Sequence, residues 1–158
     1  MSPAAASLVD RLPAFAVLLI ALLVGAAARS PAQERNSTSR LTIVAEGVRN
    51  SRGVVGVLLF RSARGWPEDV GAAFRSEAAR AHPGITTMTF EDLPPGTYAI
   101  VLLHDENENK KLDKNFFGVP REGWGMSNNP KAHGAAPAFS RARFVFRSDT
   151  RLRIHLNY

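Results

Sequence analysis

The amino-acid sequence predicts a mainly β protein, an antiparallel β-sandwich with one short helix and a long ordered loop. Three observations support this fold class. Residues 54–60 are apolar on both faces, as in a strand at the buried centre of a sheet. Residues 85–90 alternate in the manner of a strand with one buried face. Turns rich in Gly and Pro separate these short runs, which is typical of sandwich folds.

Length and composition agree with one such domain. The chain has 158 residues, of which 45% are hydrophobic and 22% charged, so it is neither disordered nor fibrous. It has no cysteine, which excludes disulfide scaffolds, thiol nucleophiles and cysteine-based metal sites. The net charge is +6.

Four further segments complete the predicted strands. Residues 41–48 and 97–103 are strand-like, and a Pro-Pro-Gly turn ending at Gly96 precedes the second of them. Residues 139–147 and 150–158 are predicted to form a C-terminal hairpin. The side chains of this hairpin that share the inward parity are Ala142, Phe144, Phe146, Leu152, Ile154 and Leu156.

One segment has helical periodicity. Residues 67–81 predict a short helix that crosses between the sheets, with Asp69 as its N-cap and Pro83 and Gly84 as its end. The residues at helical spacing are Val70, Phe74, Ala78 and Ala81.

The N-terminus predicts export. Arg11 precedes an apolar run over residues 14–28 that ends in small residues, the pattern of a secretory signal peptide. We expect residues 1–28 to be removed, with a later candidate cleavage point at residue 32, and residues 29–40 to form a polar tether before the domain at 41–158. The mature protein is then periplasmic or extracellular. The alternative is an uncleaved N-terminal membrane anchor, for which the run is barely long enough.

An acidic loop after residues 97–103 is the sharpest chemical signal. Its spacing, D-x-N-x-N-x-x-x-D, suits calcium, which prefers six to eight hard oxygen ligands. The predicted ligands are the side chains of Asp105, Asn107, Asn109 and Asp113 and the backbone carbonyl of Lys111. The ion would be a structural cofactor. The alternative is a turn whose Asp and Asn side chains bond the backbone.

This loop departs from an EF-hand loop at two positions. Lys110 stands where that loop has Gly, and Phe116 stands where it has a bidentate Glu. The ligand that an EF-hand loop has at its twelfth position would therefore come from a residue outside residues 105–113, and the candidates are Asp92 and Glu122.

A hydrolase is a weaker hypothesis. His104 with Asp105 and Glu122 supplies acid and base groups, but a lone His at a strand end is more often structural. Ser127 lies in no nucleophile-elbow context. The sequence therefore predicts that the protein is not an enzyme.

The long loop over residues 114–138 offers a second candidate binding site. Trp124 lies between two glycines and precedes polar residues, so it can form a shallow platform for sugar or peptide. The residues of this candidate ligand site are Trp124, Ser127, Asn128, Asn129 and Glu122. The favoured alternative is that the loop aromatics, Phe116 and Phe117 among them, plug the open end of the sandwich.

A basic face is predicted on the C-terminal hairpin. Its outward parity carries Arg141, Arg143, Arg147, Arg151 and Arg153, together with His155. Such a face suits an anionic envelope polymer or lipid headgroups. Nucleic acid is not expected as a partner, because the sequence has no nucleic-acid-binding motif. A simply solvated face is the plainer interpretation.

Several motifs occur together along the chain. They are Leu93-Pro-Pro-Gly-Thr-Tyr-Ala99, His104-Asp-Glu-Asn-Glu-Asn109, Leu112-Asp113, Phe117-Gly-Val-Pro-Arg-Glu-Gly-Trp-Gly125 and Ser127-Asn-Asn129. This combination resembles the bacterial domain of unknown function 2141 family. The resemblance covers about residues 41–158. It implies a small exported β-sandwich, similar to prealbumin-like or carboxypeptidase-regulatory-like domains, with no assigned activity. The pattern of that family has Gly at the position where this chain has Lys110.

Within the first of these motifs, Tyr98 is expected to bury its ring and bond nearby backbone, like the tyrosine corner of immunoglobulin-like sandwiches.

Together these observations predict an exported, non-enzymatic binding or accessory module, stabilised by calcium, whose partner is an envelope polymer, a carbohydrate or a protein. The alternative is a cationic adaptor that docks on anionic envelope surfaces through the Arg-rich hairpin.

Overall fold

The computed structural model describes residues 39–132 and 134–158. The predicted signal peptide and nearly all of the predicted tether lie outside these residues. Within them, no helix has both the length and the apolar character needed to span a membrane.

Eight strands lie in the part of the chain that the structure describes, so the mainly β prediction is confirmed. They are β1 Ser39–Val48, β2 Val54–Phe60, β3 Arg75–Arg80, β4 Gly84–Leu93, β5 Gly96–Asp105, β6 Gly123–Met126, β7 Phe144–Phe146 and β8 Thr150–His155. The helical elements are a 3-10 turn at Val70–Ala72 and the short helix α1 at Phe139–Ala142.

The strands form two sheets in a sandwich-like arrangement. The first sheet has the order β4-β1-β8, in which β1 pairs with β4 antiparallel and with β8 parallel. The second has the order β3-β2-β5-β6, and β7 also pairs with β5. A single bridge between Trp124 and Asn157 links β6 to the segment that follows β8. Trp124 of β6 in the second sheet is thus tied to the chain that leaves the first sheet after β8.

Alternating residues of both sheets fill one core. Ile43 and Ala45 of β1 and Leu59, Ile100 and Leu102 of the second sheet are fully buried. This alternation follows from the two-residue period of strands, which sends every second side chain to the same face. The inward parity predicted for the C-terminal segment is also confirmed, since Ala142, Phe146, Ile154 and Leu156 are buried.

The predicted helix over residues 67–81 is wrong. Only Val70–Ala72 is helical, as a 3-10 turn, and residues 75–80 form β3 at the edge of the second sheet. Asp69 does cap this turn, because its Oδ1 accepts the N–H of Gly71 at 2.9 Å. Residues 75–80 instead pair along their whole length with residues 54–59 of β2, and this tertiary pairing overrides the local helical preference of the segment.

The predicted C-terminal hairpin is also wrong. Its first arm forms α1 and β7, and β7 pairs with β5 in the second sheet. Its second arm forms β8, which pairs with β1 in the first sheet. The segment between them crosses from one sheet to the other.

The predicted tyrosine corner is confirmed. Tyr98 is fully buried, and its hydroxyl donates to the carbonyl of Pro94 at 2.7 Å. The same oxygen accepts from Nη2 of Arg61 at 2.9 Å. The contact fixes the turn before β5 and so sets the start of the strand that carries the acidic loop.

Candidate functional site

The acidic loop begins at Asp105, the last residue of β5. Its side chain is buried, and both carboxylate oxygens accept backbone N–H groups. Oδ1 accepts from Asn109 at 3.1 Å, and Oδ2 accepts from Lys110 at 2.6 Å. This carboxylate therefore curls the loop around itself.

The two asparagines and Asp113 complete the inner face of the loop. The Nδ2 groups of Asn107 and Asn109 donate to the two oxygens of Asp113, at 2.7 and 3.0 Å. Oδ1 of Asn107 accepts the N–H of Asn109 at 3.1 Å. Lys111 enters the network through its N–H, 2.8 Å from Oδ1 of Asn109, whereas the sequence prediction used its carbonyl. The four predicted side-chain ligands thus form one connected cluster.

Glu122 closes the same cluster from the far end of the loop. It is buried, and its Oε1 accepts the N–H of Glu106 while its Oε2 accepts the N–H of Asp113, at 2.9 and 3.0 Å. Glu122 and Asp92 were the candidates for the missing cation ligand, and Glu122 lies at the loop. The short strand β6, which begins at Gly123, places it there.

The backbone at Lys110 has the conformation that Gly favours. Its φ is +63°, in the left-handed region where a side chain costs conformational energy. Glu108 has a φ of +60° as well. The loop therefore keeps a sharp turn at its sixth position although Lys replaces Gly.

The side-chain amides of Asn107 and Asn109 decide whether the cluster has enough oxygen ligands for a cation. In residues 39–132 and 134–158, no three His, Cys, Asp or Glu side chains are grouped as a metal site on their own. A cation here must therefore also use the amide oxygens of Asn107 and Asn109. Calcium accepts such mixed carboxylate and amide sets.

Arginines surround the neighbouring Glu106, whose side chain is nearly buried. Nε of Arg49 donates to Oε1 at 2.5 Å, Nδ2 of Asn50 donates to Oε2 at 3.1 Å, and Arg52 pairs with Oε2. Burial works to raise the pKa of Glu106, but the hydrogen bonds from Asn50, Arg52 and Arg49 outweigh it and hold the pKa below 4.5, its ordinary value. Arg49, Arg52 and Glu106, together with Arg121, line a cleft of about 660 Å³ beside the loop.

His104 is fully buried and contacts Tyr158, a residue that lines this cleft. Its Nε2 lies 2.9 Å from the carbonyl oxygen of Arg52, and its Nδ1 lies 2.7 Å from the hydroxyl of Tyr158. A carbonyl only accepts hydrogen bonds, so Nε2 carries the proton and Nδ1 accepts from Tyr158. The hydroxyl of Tyr158 also accepts the N–H of Arg49 at 3.1 Å. Both ring nitrogens of His104 are therefore engaged within the fold.

The predicted ligand platform is divided in the structure. Trp124 and Asn129 line a groove of about 510 Å³ with His155 and Asn157. Ser127 is buried instead, where it accepts the N–H of Ile100 at 2.9 Å and donates to the carbonyl of Ala142 at 2.6 Å. Asn128 donates to the carbonyls of Arg141 and Arg143, and Glu122 lies at the acidic loop.

The glycines beside Trp124 are required by close packing. A Cβ on Gly123 would lie 2.5 Å from the ring of Tyr158, and one on Gly125 would lie 2.6 Å from the carbonyl oxygen of His155. At Gly125 the neighbour is the backbone of β8 in the other sheet, so only Gly fits there. At Gly123 a larger residue would displace the ring of Tyr158.

The arginines of the predicted basic face do not lie on two neighbouring strands. The five arginines are exposed, but Arg151 and Arg153 lie on β8 of the first sheet, whereas Arg141, Arg143 and Arg147 flank or belong to α1 and β7. Arg153 also pairs with Glu46 of β1.

The loop tip contradicts the expectation that its aromatics plug the sandwich. Phe116 and Phe117 are 98% and 85% exposed. Trp124 is half-buried and Met126 is buried, so burial applies only to the part of the loop that forms β6. Asn115 and Gly118 enclose the two phenylalanines, and Asn and Gly at such spacing are the sequence pattern of a tight turn.

Comparison with known proteins yields a family. The family model DUF2141, described as an uncharacterized protein conserved in bacteria, matches residues 43–154. The match covers more than two thirds of the chain and includes all residues of the acidic loop. No curated protein and no solved structure matches the chain.

Proposed function

Because the chain belongs to the DUF2141 family of bacterial proteins, whose description assigns no activity, we propose a function from the acidic loop itself. The protein is an exported, non-enzymatic binding or accessory module, and calcium held between residues 105 and 122 stabilises its sandwich.

One observation carries the calcium proposal. Five oxygen-bearing side chains from a stretch of eighteen residues belong to one hydrogen-bonded cluster at the end of β5. They are Asp105, Asn107, Asn109, Asp113 and Glu122. The carboxylates of Asp105, Asp113 and Glu122 and the amide oxygens of Asn107 and Asn109 make up a mixed set of hard oxygen atoms, the kind of ligand that calcium accepts.

Binding an ion requires a specific exchange at Asp113. Its carboxylate accepts two amide N–H groups, from Asn107 and Asn109. Rotation of these amides turns their oxygens toward the position that the N–H groups occupied. It also breaks the bonds that these oxygens accept from the N–H groups of Asn109 and Lys111, so the ion must offset both sets of lost hydrogen bonds. Asp105 can keep its two backbone bonds, because each carboxylate oxygen has a second lone pair.

The non-enzymatic part rests on how the candidate catalytic groups are used. Both nitrogens of His104, both oxygens of Glu122 and the hydroxyl of Ser127 bond partners within the fold. Among the described residues, no buried side-chain polar atom lacks a partner. The groups that a hydrolase would need therefore serve the structure.

Export rests on the apolar run over residues 14–28 after Arg11, and binding rests on the groove beside Trp124. An aromatic side chain with the amides of Asn129 and Asn157 suits a carbohydrate, an envelope polymer or a peptide of a protein partner.

Thermal unfolding of the whole chain with EDTA, magnesium and calcium tests the proposal. A ligand that binds only the native state at about 100 times its Kd adds about 2.7 kcal/mol of stability. Calcium should therefore raise the Tm by several degrees, and magnesium should raise it much less.

Two variants sharpen this experiment. Asp113→Asn removes a proposed ligand charge with little change of shape and should abolish the calcium shift. Glu108→Gln removes one charge from the same loop at an exposed side chain that pairs with Arg80, and should leave the shift intact. The absence of a calcium shift in the unmodified protein, or an equal shift in both variants, would refute the site.

A further inference from the structure

The tip of the loop over residues 114–120 is an apolar projection. Phe116 and Phe117 are almost wholly exposed, Val119 is 53% exposed, and the two rings contact edge to face with centroids 5.5 Å apart. Large apolar side chains grouped at an exposed point usually mark a site that contacts a partner or a membrane.

The backbone of this tip is closed on itself. A bridge joins Lys114 and Pro120, and the N–H of Asn115 donates to the carbonyl of Val119 at 2.8 Å. Oδ1 of Asn115 accepts the N–H groups of Phe117 and Val119, at 2.9 and 3.0 Å. Gly118 donates to the carbonyl of Asn115 at 2.9 Å.

These internal bonds matter for the choice of partner. Backbone groups that enter a lipid phase without hydrogen bonds cost several kcal/mol each, so inserting segments must satisfy them internally. Four backbone N–H groups of this tip are satisfied in that way, while its phenylalanine rings face outward.

Basic residues flank the tip on both sides. Between Lys110 and Arg121 the chain carries four basic residues and one acidic residue, Asp113. The four are exposed, and within residues 39–132 and 134–158 only Lys114 of the four forms an ion pair, with Glu68 at 3.4 Å. Apolar side chains surrounded by lysines match the interface of an anionic bilayer, where rings enter the headgroup boundary and ammonium groups meet phosphates.

We propose that the tip formed by Phe116, Phe117 and Val119 inserts into the headgroup region of anionic membranes, with Lys110, Lys111, Lys114 and Arg121 contacting lipid phosphates. Insertion of Phe116, Phe117 and Val119 does not depend on the calcium proposal, because the bonds that hold the tip lie within residues 114–120. Lys110 and Lys111 belong to the acidic loop, so only their contacts with lipid could change with the ion.

A fluorescent probe on the tip tests insertion directly. The chain has no cysteine, so Val119→Cys offers one labelling position for an environment-sensitive dye. Val145→Cys is the matched control, because Val145 is 59% exposed on β7. Since the probe reports its own surroundings, the full chain with its apolar N-terminal run can be used.

The probes are titrated with vesicles of phosphatidylcholine and with vesicles that contain an equal amount of phosphatidylglycerol. We expect a blue shift of the probe at 119 with the anionic vesicles, quenching by lipid-borne nitroxide, and no shift at 145. Adding Phe116→Ser and Phe117→Ser should raise the lipid concentration for half-maximal shift at least roughly tenfold, because each ring transfers substantial apolar area from water.

Three results would overturn the proposal. The probe at 119 stays in water when anionic vesicles are added, or the two serine substitutions leave its response unchanged. In the third, its emission shifts with protein concentration in the absence of lipid, which would show that a second copy of the chain covers the tip.

Discussion

The hydroxyl of Tyr158 lies 2.7 Å from Nδ1 of His104, and this hydrogen bond joins residue 158 to the buried end of β5. It fixes the histidine as the tautomer with its proton on Nε2, since that nitrogen faces the carbonyl of Arg52.

Tyr158→Phe should destabilise the fold by about 1–3 kcal/mol, because it leaves Nδ1 of the buried His104 without a donor. Urea unfolding measures the change, and nitrogen chemical shifts of His104 report its tautomer. A midpoint equal to that of the unmodified protein would show that the contact is energetically neutral.

Tyr98→Phe should cost about 1–2 kcal/mol, because the carbonyl of Pro94 loses its donor and Arg61 loses an acceptor. The ring remains, so core packing is unchanged and the slope of the urea transition should stay the same. A Phe variant as stable as the parent would argue against a stabilising role for the tyrosine corner.

Lys110→Gly should stabilise the protein by about 0.5–1 kcal/mol, because Gly adopts a positive φ without steric cost. Calcium, if bound, should also bind more tightly once the lysine charge is removed.

Lys111→Gly is the control for that change. It removes the same charge at a position outside the left-handed region, so it should destabilise the fold by about 0.5–1 kcal/mol. Equal effects of the two substitutions, measured by urea unfolding, would rule out a conformational contribution at Lys110.

Glu106→Gln should remove a pH-dependent contribution to stability. Because hydrogen bonds from Asn50, Arg52 and Arg49 overcome burial and lower the pKa of Glu106, its carboxylate stabilises the native state above its ordinary pKa of 4.5. That contribution is lost as the pH falls through the lowered pKa.

The free energy of unfolding, measured from pH 7 down to pH 3, checks this sign. The difference between the parent and Glu106→Gln should be largest near neutral pH and shrink below about pH 4.5. Glu77→Gln, on the edge strand β3, removes the same charge at a more exposed side chain and is the control for loss of a negative charge alone. A difference that grows on acidification would contradict the assignment.

Sequence reasoning predicted most strand positions, because buried strands such as Val54–Phe60 have a pattern that depends on local alternation and turns. It failed at residues 75–80, where Arg, Glu and Ala favour a helix but pairing with β2 decides the structure. It also identified the inward-facing residues of β7 and β8 correctly, but it paired these two strands with each other, whereas β7 pairs with β5 and β8 pairs with β1. Parity identifies the buried face of a strand, while the neighbouring strand depends on contacts far away in sequence.

The candidate site shows the same limit. The D-x-N-x-N spacing predicted that Asp105, Asn107, Asn109 and Asp113 would converge, because a curling loop aims alternate side chains inward. The arrival of Glu122 depends on β6, whose four residues are too few to be recognised within a Gly-rich loop. Sequence reasoning expected Phe116 and Phe117 to be buried because their side chains are hydrophobic. In the structure both are exposed.

The parallel pairing of β1 with β8 has a consequence for biosynthesis. Arg40 and Asp149, which are 109 positions apart, meet at the start of this ladder. While the ribosome is still adding the middle of the polypeptide, β1 has only β4 beside it and the first sheet lacks one edge. Such a long closure is slow and occurs late. The first sheet can therefore be completed only after residues 150–155 have been synthesised, whereas the strands β2, β3, β5 and β6 of the second sheet are all available by residue 126.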